Sequence, residues 1–264
     1  MQIIEFKNFR GDLLRGVVTK HSGSKGIIFV HGFERNCYEY KFRNIFQGIK
    51  DKYSTFRFDF SGCGLSEGKF EDFTVEKSTL EFDSALEAFK RVCPQLKEIV
   101  VVGHSIAGCM VVNSLQEKNK FISKVVLFAP AWNQEEILKY YFVRGMYKDK
   151  KTITWDNYKR FFSPLKYKLF IKQKKYERKA HWLKNDYFIE NIEMDYQDLL
   201  STVTIPLNHI LVVQSLVDSK VPIVSNNKVP KEIKQIILRK ADHDFEAPSD
   251  VKQYLGKVMK FISG

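Results

Sequence analysis

Glu98-Ile99-Val100-Val101-Val102 runs directly into Gly103-His104-Ser105-Ile106-Ala107-Gly108. An apolar run of that length followed by a turn of small residues predicts a buried strand that passes sharply into a helix. Such a turn lifts its middle residue above the strand ends and aims the free amides of the helix at it. The positions two before and two after must be small, because the strand and helix backbones nearly touch there. Gly103 meets this fully, and Ala107 departs from the usual glycine by one methyl. Ser105 is therefore the candidate nucleophile, although Gly-x-Ser-x-Ala alone is a pattern that a purely structural turn also produces.

A serine hydroxyl is a weak nucleophile at neutral pH and needs a base to take its proton and an acid to orient that base. Asp218 follows the strand-like run His209-Ile210-Leu211-Val212-Val213, and His243 follows Gln235-Ile236-Ile237-Leu238-Arg239. Each sits in a loop after a strand. In a parallel sheet those loops share one edge, so Ser105, Asp218 and His243 are expected to converge there. Taken singly, Asp218 reads as a helix cap and His243 as a satisfied surface histidine; the order serine, acid, histidine favours the joint reading. Asp242 and Asp244 flank the histidine and leave the choice of carboxylate open at this level.

Two earlier segments complete the expectation. Gly26-Ile27-Ile28-Phe29-Val30 ends in His31-Gly32-Phe33, where glycine lets the chain turn and present a backbone N–H to a developing oxyanion. The amides of Phe33 and Ile106 are the candidate oxyanion donors. Phe56 to Gly68, a strand running into a glycine-punctuated loop, is expected to shape the floor of the site without a chemical role.

These segments resemble the α/β-hydrolase serine esterases, and within them the bacterial cinnamoyl or feruloyl esterases. The resemblance spans most of residues 10–132 and 190–263. It rests on His31-Gly32-Phe33, Asp59-Phe60-x-Gly62-x-Gly64-x-Ser66-x-Gly68, Gly103-His104-Ser105, Asp218-x-x-Val221-Pro222 and Ala241-Asp242-His243-x-Phe245. Ala107, Cys63 where a histidine commonly stands, and Gln214-Ser215 where a glycine usually precedes the acid depart from it without removing a catalytic group. It implies hydrolysis of carboxylic esters of feruloyl, cinnamoyl or small acyl type through an acyl-enzyme, with no cofactor. Thioesterase, acylglycerol lipase and peptidase activities use the same machinery, and a non-catalytic or membrane-associated binding protein on the same scaffold is the alternative of a different class.

The remaining pattern agrees. Strands are expected near 2–6, 12–19, 26–30, 55–60, 98–102, 124–129, 209–214 and 234–239, and helices near 40–50, 76–92, 106–117, 189–200 and 249–262. That alternation predicts an α/β-hydrolase fold, a mostly parallel sheet with helices on both faces. It stops between Ala131 and about Asn185, so a core of 1–131 and 189–264 is expected to carry a cap insertion, 132–188, after the sixth strand.

From Lys139 to Lys184 there are 15 Lys and Arg against 3 acidic residues, an excess equal to the net +12 of the whole 264-residue chain. Twelve aromatic residues are interleaved with them. The expected reading is aromatics packing the insertion down and lysines on its solvated face. The charge also admits steering of an anionic substrate or weak contact with an anionic surface. Nucleic acid is not expected, since no binding module accompanies the charge. Cys37, Cys63, Cys93 and Cys109 show no metal spacing and are expected to be free thiols in a cytoplasmic protein, the N-terminus lacking the features of a signal peptide. No metal site is expected.

Overall fold

The computed structural model describes residues 1–116, 121–149, 151–178 and 181–264. Lys150 and Lys179 of the basic segment, and Glu117 of the expected helix 106–117, lie outside the described residues.

Along the chain come β1 (Gln2–Lys7), β2 (Leu13–Thr19), β3 (Lys25–Val30), α1 (Tyr40–Ile49), β4 (Ser54–Phe58), α2 (Val75–Val92), β5 (Glu98–His104), α3 (Ala107–Ser114) and β6 (Ile122–Phe128). Next are α4 (Gln134–Gly145), α5 (Pro164–Ile171), a small hairpin of β7 (Lys175–Arg178) and β8 (His181–Lys184), and α6 (Asp186–Asn191). β9 (Ile210–Ser215), β10 (Lys234–Leu238) and α7 (Pro248–Ser263) close the chain. The main sheet has eight strands in the order β1-β2-β4-β3-β5-β6-β9-β10. β1 pairs antiparallel with β2 and β2 with β4; every other pairing is parallel. This is the α/β-hydrolase fold.

The two-residue period of the strands divides the core. Ile28, Val30, Val101 and Leu127 point to the face covered by α2 and α3, while Ile27, Phe29, Val100, Val102 and Phe128 point to the face covered by α1 and α7. Because both faces are covered, the central strands read as continuous apolar runs rather than alternating ones. Each fully buried side chain of this size contributes about 1.5–3 kcal/mol of burial free energy.

Two expectations are corrected. A single helix over 189–200 does not form: α6 ends at Asn191, whose Nδ2 donates back to the Tyr187 carbonyl at 2.8 Å. Asp195 then accepts the Gln197 amide at 3.0 Å and starts a separate 3-10 segment, Tyr196–Thr202. A short side chain that captures a nearby amide competes with the helical ladder. The second correction is the 56–68 loop, none of which lines the pocket described below. The Asp59 carboxylate draws that loop back, accepting the Cys37 amide at 2.7 Å and the Leu65 amide at 3.0 Å, so it braces the turn after β3 from behind.

Candidate active site

The junction of β5 and α3 is built as its small residues require. A Cβ on Gly103 would stand 2.9 Å from Leu127 Cδ2 and 3.3 Å from the Ala107 methyl, so Gly103 admits no side chain without movement of its neighbours. Ser105 has φ of 56°, a left-handed conformation rare for serine, and such strain persists where the surroundings over-determine it. Here the Ser105 amide donates to the Phe128 carbonyl at 2.8 Å, and its carbonyl accepts the Gly108 and Ala131 amides at 3.0 Å each. Of residues 99–112, Ser105 alone is not buried.

Asp218 and His243 come from the loops after β9 and β10, adjacent strands whose parallel pairing brings the loops together. His243 Nδ1 lies 2.7 Å from Asp218 Oδ2, and both side chains are buried. The other oxygen, Oδ1, accepts the amides of Lys220 at 2.8 Å and Val221 at 3.0 Å, which fixes the carboxylate plane. Since the carboxylate accepts, Nδ1 carries the proton and Nε2 is the nitrogen left for proton transfer.

The choice among neighbouring carboxylates follows from the same geometry. Asp242 Oδ1 is occupied by the amides of Asp244 and Phe245, at 3.0 and 3.1 Å. Asp244 turns outward to pair with Arg35 and, at 3.3 Å, with Lys220. It therefore joins the loops after β3, β9 and β10 by charge. Asp218 is the carboxylate placed on the histidine.

Ser105, His243, Phe33 and Ile106 all line one pocket of about 1130 Å³, so the structure brings four of the five candidate residues to one surface and holds the fifth, Asp218, behind His243. One wall is aromatic. The Phe33 ring stacks on Tyr187 at 5.5 Å and meets Phe70 and Phe73 edge-on at 5.0 Å each, and Phe142, Phe170 and Phe188 continue the wall from the segment between β6 and β9. Tyr141 of α4 donates to the Lys220 carbonyl at 3.0 Å, tying that segment to the loop bearing Asp218.

Sequence reasoning missed a buried polar cluster that reaches the pocket wall at His104. Glu39, Lys41 and His104 are all buried, with Lys41 paired to Glu39 and His104 Nδ1 2.8 Å from Glu39 Oε2. Burial opposes ionisation of Glu39, but His104 and Lys41 override it and hold the carboxyl well below its usual range. Burial pushes the His104 imidazole down to about 4, so it is neutral at physiological pH. The available signal was Lys41 itself, which stands among Phe42, Ile45, Phe46 and Ile49 on the buried face of α1.

All four cysteines are free and buried. Burial raises the Cys63 thiol to about 12 and raises Cys109 as well, so these are packing residues rather than nucleophiles. Among the described residues no group of three or more His, Cys, Asp or Glu could hold a metal ion, and no helix is long and apolar enough to cross a membrane.

Comparison with known proteins gives the same architecture. The family model described as alpha/beta hydrolase fold matches residues 26–152. Est1E from Butyrivibrio proteoclasticus, solved with ferulic acid bound, superposes with a TM-score of 0.73 at 20% identity over 98% of this chain and 96% of that one. Alpha/beta hydrolase domain-containing protein 10 from mouse gives a TM-score of 0.72 at 16% identity, covering 100% and 99% of the two chains. The Pyrococcus furiosus esterase Pf2001 gives 0.69 at 17% identity, covering 99% and 90%. No curated protein matches.

Proposed function

We propose that this α/β-hydrolase chain is a serine hydrolase of carboxylic esters. The observation that carries the reading is the 2.7 Å bond between His243 Nδ1 and Asp218 Oδ2, in a histidine that lines the same pocket as a serine held at φ 56° on a strand-to-helix turn. A serine kept in a strained conformation at a pocket wall, with an oriented imidazole on the same wall, is arranged for nucleophilic attack.

In this reading His243 Nε2 takes the Ser105 hydroxyl proton as Oγ attacks the ester carbonyl carbon. The carbonyl π electrons move to oxygen, and the amides of Phe33 and Ile106 stabilise that oxyanion. Collapse expels the alcohol, which receives the proton from His243, and leaves the acyl group on Ser105. Water, deprotonated by His243, repeats the sequence on the acyl-enzyme and releases the acid. Asp218 holds the tautomer that lets Nε2 accept.

The acyl group we assign is aromatic or a small acyl chain, of feruloyl or cinnamoyl type. Its support is the aromatic wall around Phe33, in a pocket whose volume lies just above the usual range of small-molecule sites. The segment between β6 and β9 would act as the cap over that acyl site, and its lysines would steer an anionic substrate toward the mouth.

Reaction with a fluorophosphonate probe tests the chemistry. Stoichiometric labelling confined to Ser105 is expected; a chain that stays unlabelled, or is labelled equally after Ser105→Ala, would refute the nucleophile. A screen of nitrophenyl acyl esters, feruloyl esters, thioesters and aminoacyl amides assigns the substrate class, with turnover of the feruloyl and short acyl esters expected to lead.

A further inference from the structure

Glu39 occupies the N-cap position of α1, yet its side chain makes no capping bond. A short side chain such as Asp or Ser at that position accepts a first-turn amide, a role the longer Glu39 does not take. Instead it turns inward. Its Oε1 accepts the Gly32 amide at 2.9 Å, one residue before the candidate oxyanion donor Phe33. Its Oε2 pairs with the fully buried Lys41 and lies 2.8 Å from His104 Nδ1. On the far side of that ring, Nε2 lies 3.0 Å from the His243 carbonyl, and the two histidine rings lie 4.7 Å apart.

A neutral imidazole carries one N–H. Both ring nitrogens of His104 face groups that can only accept, the Glu39 carboxylate 2.8 Å from Nδ1 and the His243 carbonyl 3.0 Å from Nε2, so with the proton on Nε2 the Nδ1 lone pair and the carboxylate need a cation to hold them together. Lys41 Nζ, 3.4 Å from Nδ1, is the donor that faces it while also neutralising Glu39. The charge is thus balanced by an ion pair enclosed in the protein. Such pairs contribute little to stability, because desolvation offsets their attraction and apolar residues of the same shape often do as well. Stability alone therefore leaves this one without a reason.

We propose that Glu39, Lys41 and His104 form a positioning relay, which holds the oxyanion loop through the Gly32 amide and the His243 loop through its carbonyl in one fixed relation. The proposal rests on the serine hydrolase reading for its consequence in turnover, but not for its geometry. Of its members only His104 lines the pocket, and the relay reaches the reacting groups through the Gly32 amide and the His243 carbonyl. It acts by setting the separation of the oxyanion donors from the base. A displacement of about 1 Å between groups that must act together can cost about 100-fold in rate.

Two neutral double variants isolate the relay. Glu39→Gln with Lys41→Met removes both charges but preserves a continuous chain of bonds: the amide oxygen still accepts the Gly32 N–H, and the amide N–H replaces Lys41 as the donor to His104 Nδ1. Glu39→Leu with Lys41→Met removes the charges and the bonds together. The first should hydrolyse a good nitrophenyl ester with kcat near that of the wild type. The second, and His104→Phe, should lose about 10- to 100-fold in kcat with KM unchanged. The deshielded proton resonance of His243 Nδ1–H, which needs no turnover, should stay sharp in the first double variant and broaden in the other two.

Equal kcat and equal resonances for the two double variants would overturn the relay. Should the Leu/Met variant fail to fold, a His104→Phe protein with wild-type kcat and a sharp resonance would overturn it as well. Absence of Ser105 labelling in the wild type would sink the hydrolase reading, while the resonance comparison would still decide the relay.

Discussion

Asp218→Asn puts the orientation of the base under test. In the wild type, Asp218 Oδ1 accepts the Lys220 and Val221 amides at 2.8 and 3.0 Å, and Oδ2 faces His243 Nδ1 at 2.7 Å. The two backbone donors require an oxygen, so the asparagine carbonyl takes the Oδ1 position and its NH2 group is forced toward the histidine. An NH2 cannot accept. Nδ1 must then become the lone-pair nitrogen, the proton moves to Nε2, and the nitrogen needed to deprotonate Ser105 is blocked. Loss of the correct tautomer costs a serine triad about 10⁴ in kcat, or about 5.5 kcal/mol of transition-state stabilisation. The fold should survive, because the side chain keeps its shape and its two amide bonds. The assay is steady-state hydrolysis of a nitrophenyl ester alongside a thermal unfolding curve. Asp242→Asn and Asp244→Asn, measured in parallel, should each stay within a few-fold of the wild type, since neither carboxylate reaches His243 Nδ1. A loss of less than tenfold for Asp218→Asn with an intact fold, or a larger loss for either neighbour, would refute the assignment.

Ser105→Ala should lower ester turnover by about 10⁴- to 10⁶-fold and abolish fluorophosphonate labelling, and retention of a tenth of wild-type turnover would exclude Ser105 as nucleophile. Because Ser105 sits at φ 56°, Ser105→Gly should raise stability by about 1 kcal/mol, and a lower denaturation midpoint would show that the turn is not strained. Stability should fall as pH drops from about 6.5 to about 4. In that window the unfolded chain protonates His104 while the folded one, with the imidazole pushed down by burial and by Lys41 and His243 against the opposing pull of Glu39, does not, a difference of at most about 3 kcal/mol. Glu39, ionised well below its usual range, extends the loss below about 4.5, because its stabilisation vanishes as it protonates. Denaturation midpoints across pH should therefore decline less steeply in His104→Phe than in the wild type, and identical slopes would count against a neutral buried His104. Replacing the exposed Lys166, Lys168, Lys172 and Lys174 by Gln should flatten the salt dependence of kcat/KM for anionic esters and leave neutral ones unchanged; equal responses to salt would leave these lysines as a solvated face.

The sequence by itself determined whatever depends on local period and residue size. Strands that become apolar on both faces announced a covered parallel sheet, and Gly103 and Ala107 around Ser105 announced a close strand-to-helix approach. The loops after β9 and β10 were readable as carriers of Asp218 and His243, since parallel strands send their C-terminal ends to one edge. Only the tertiary structure decided what depends on pairings between distant segments. It set Asp218 rather than Asp242 or Asp244 on the histidine, because two backbone amides of the loop after β9 orient its carboxylate while the neighbours are drawn to other donors. It broke the expected helix at Asn191 and drew the 56–68 loop behind the pocket. It also enclosed Lys41 with Glu39 and His104, a cluster that no periodicity encodes. A lysine on an apolar helix face signals only that a partner must exist, and the partner is chosen by how β3, α1 and β5 meet in space.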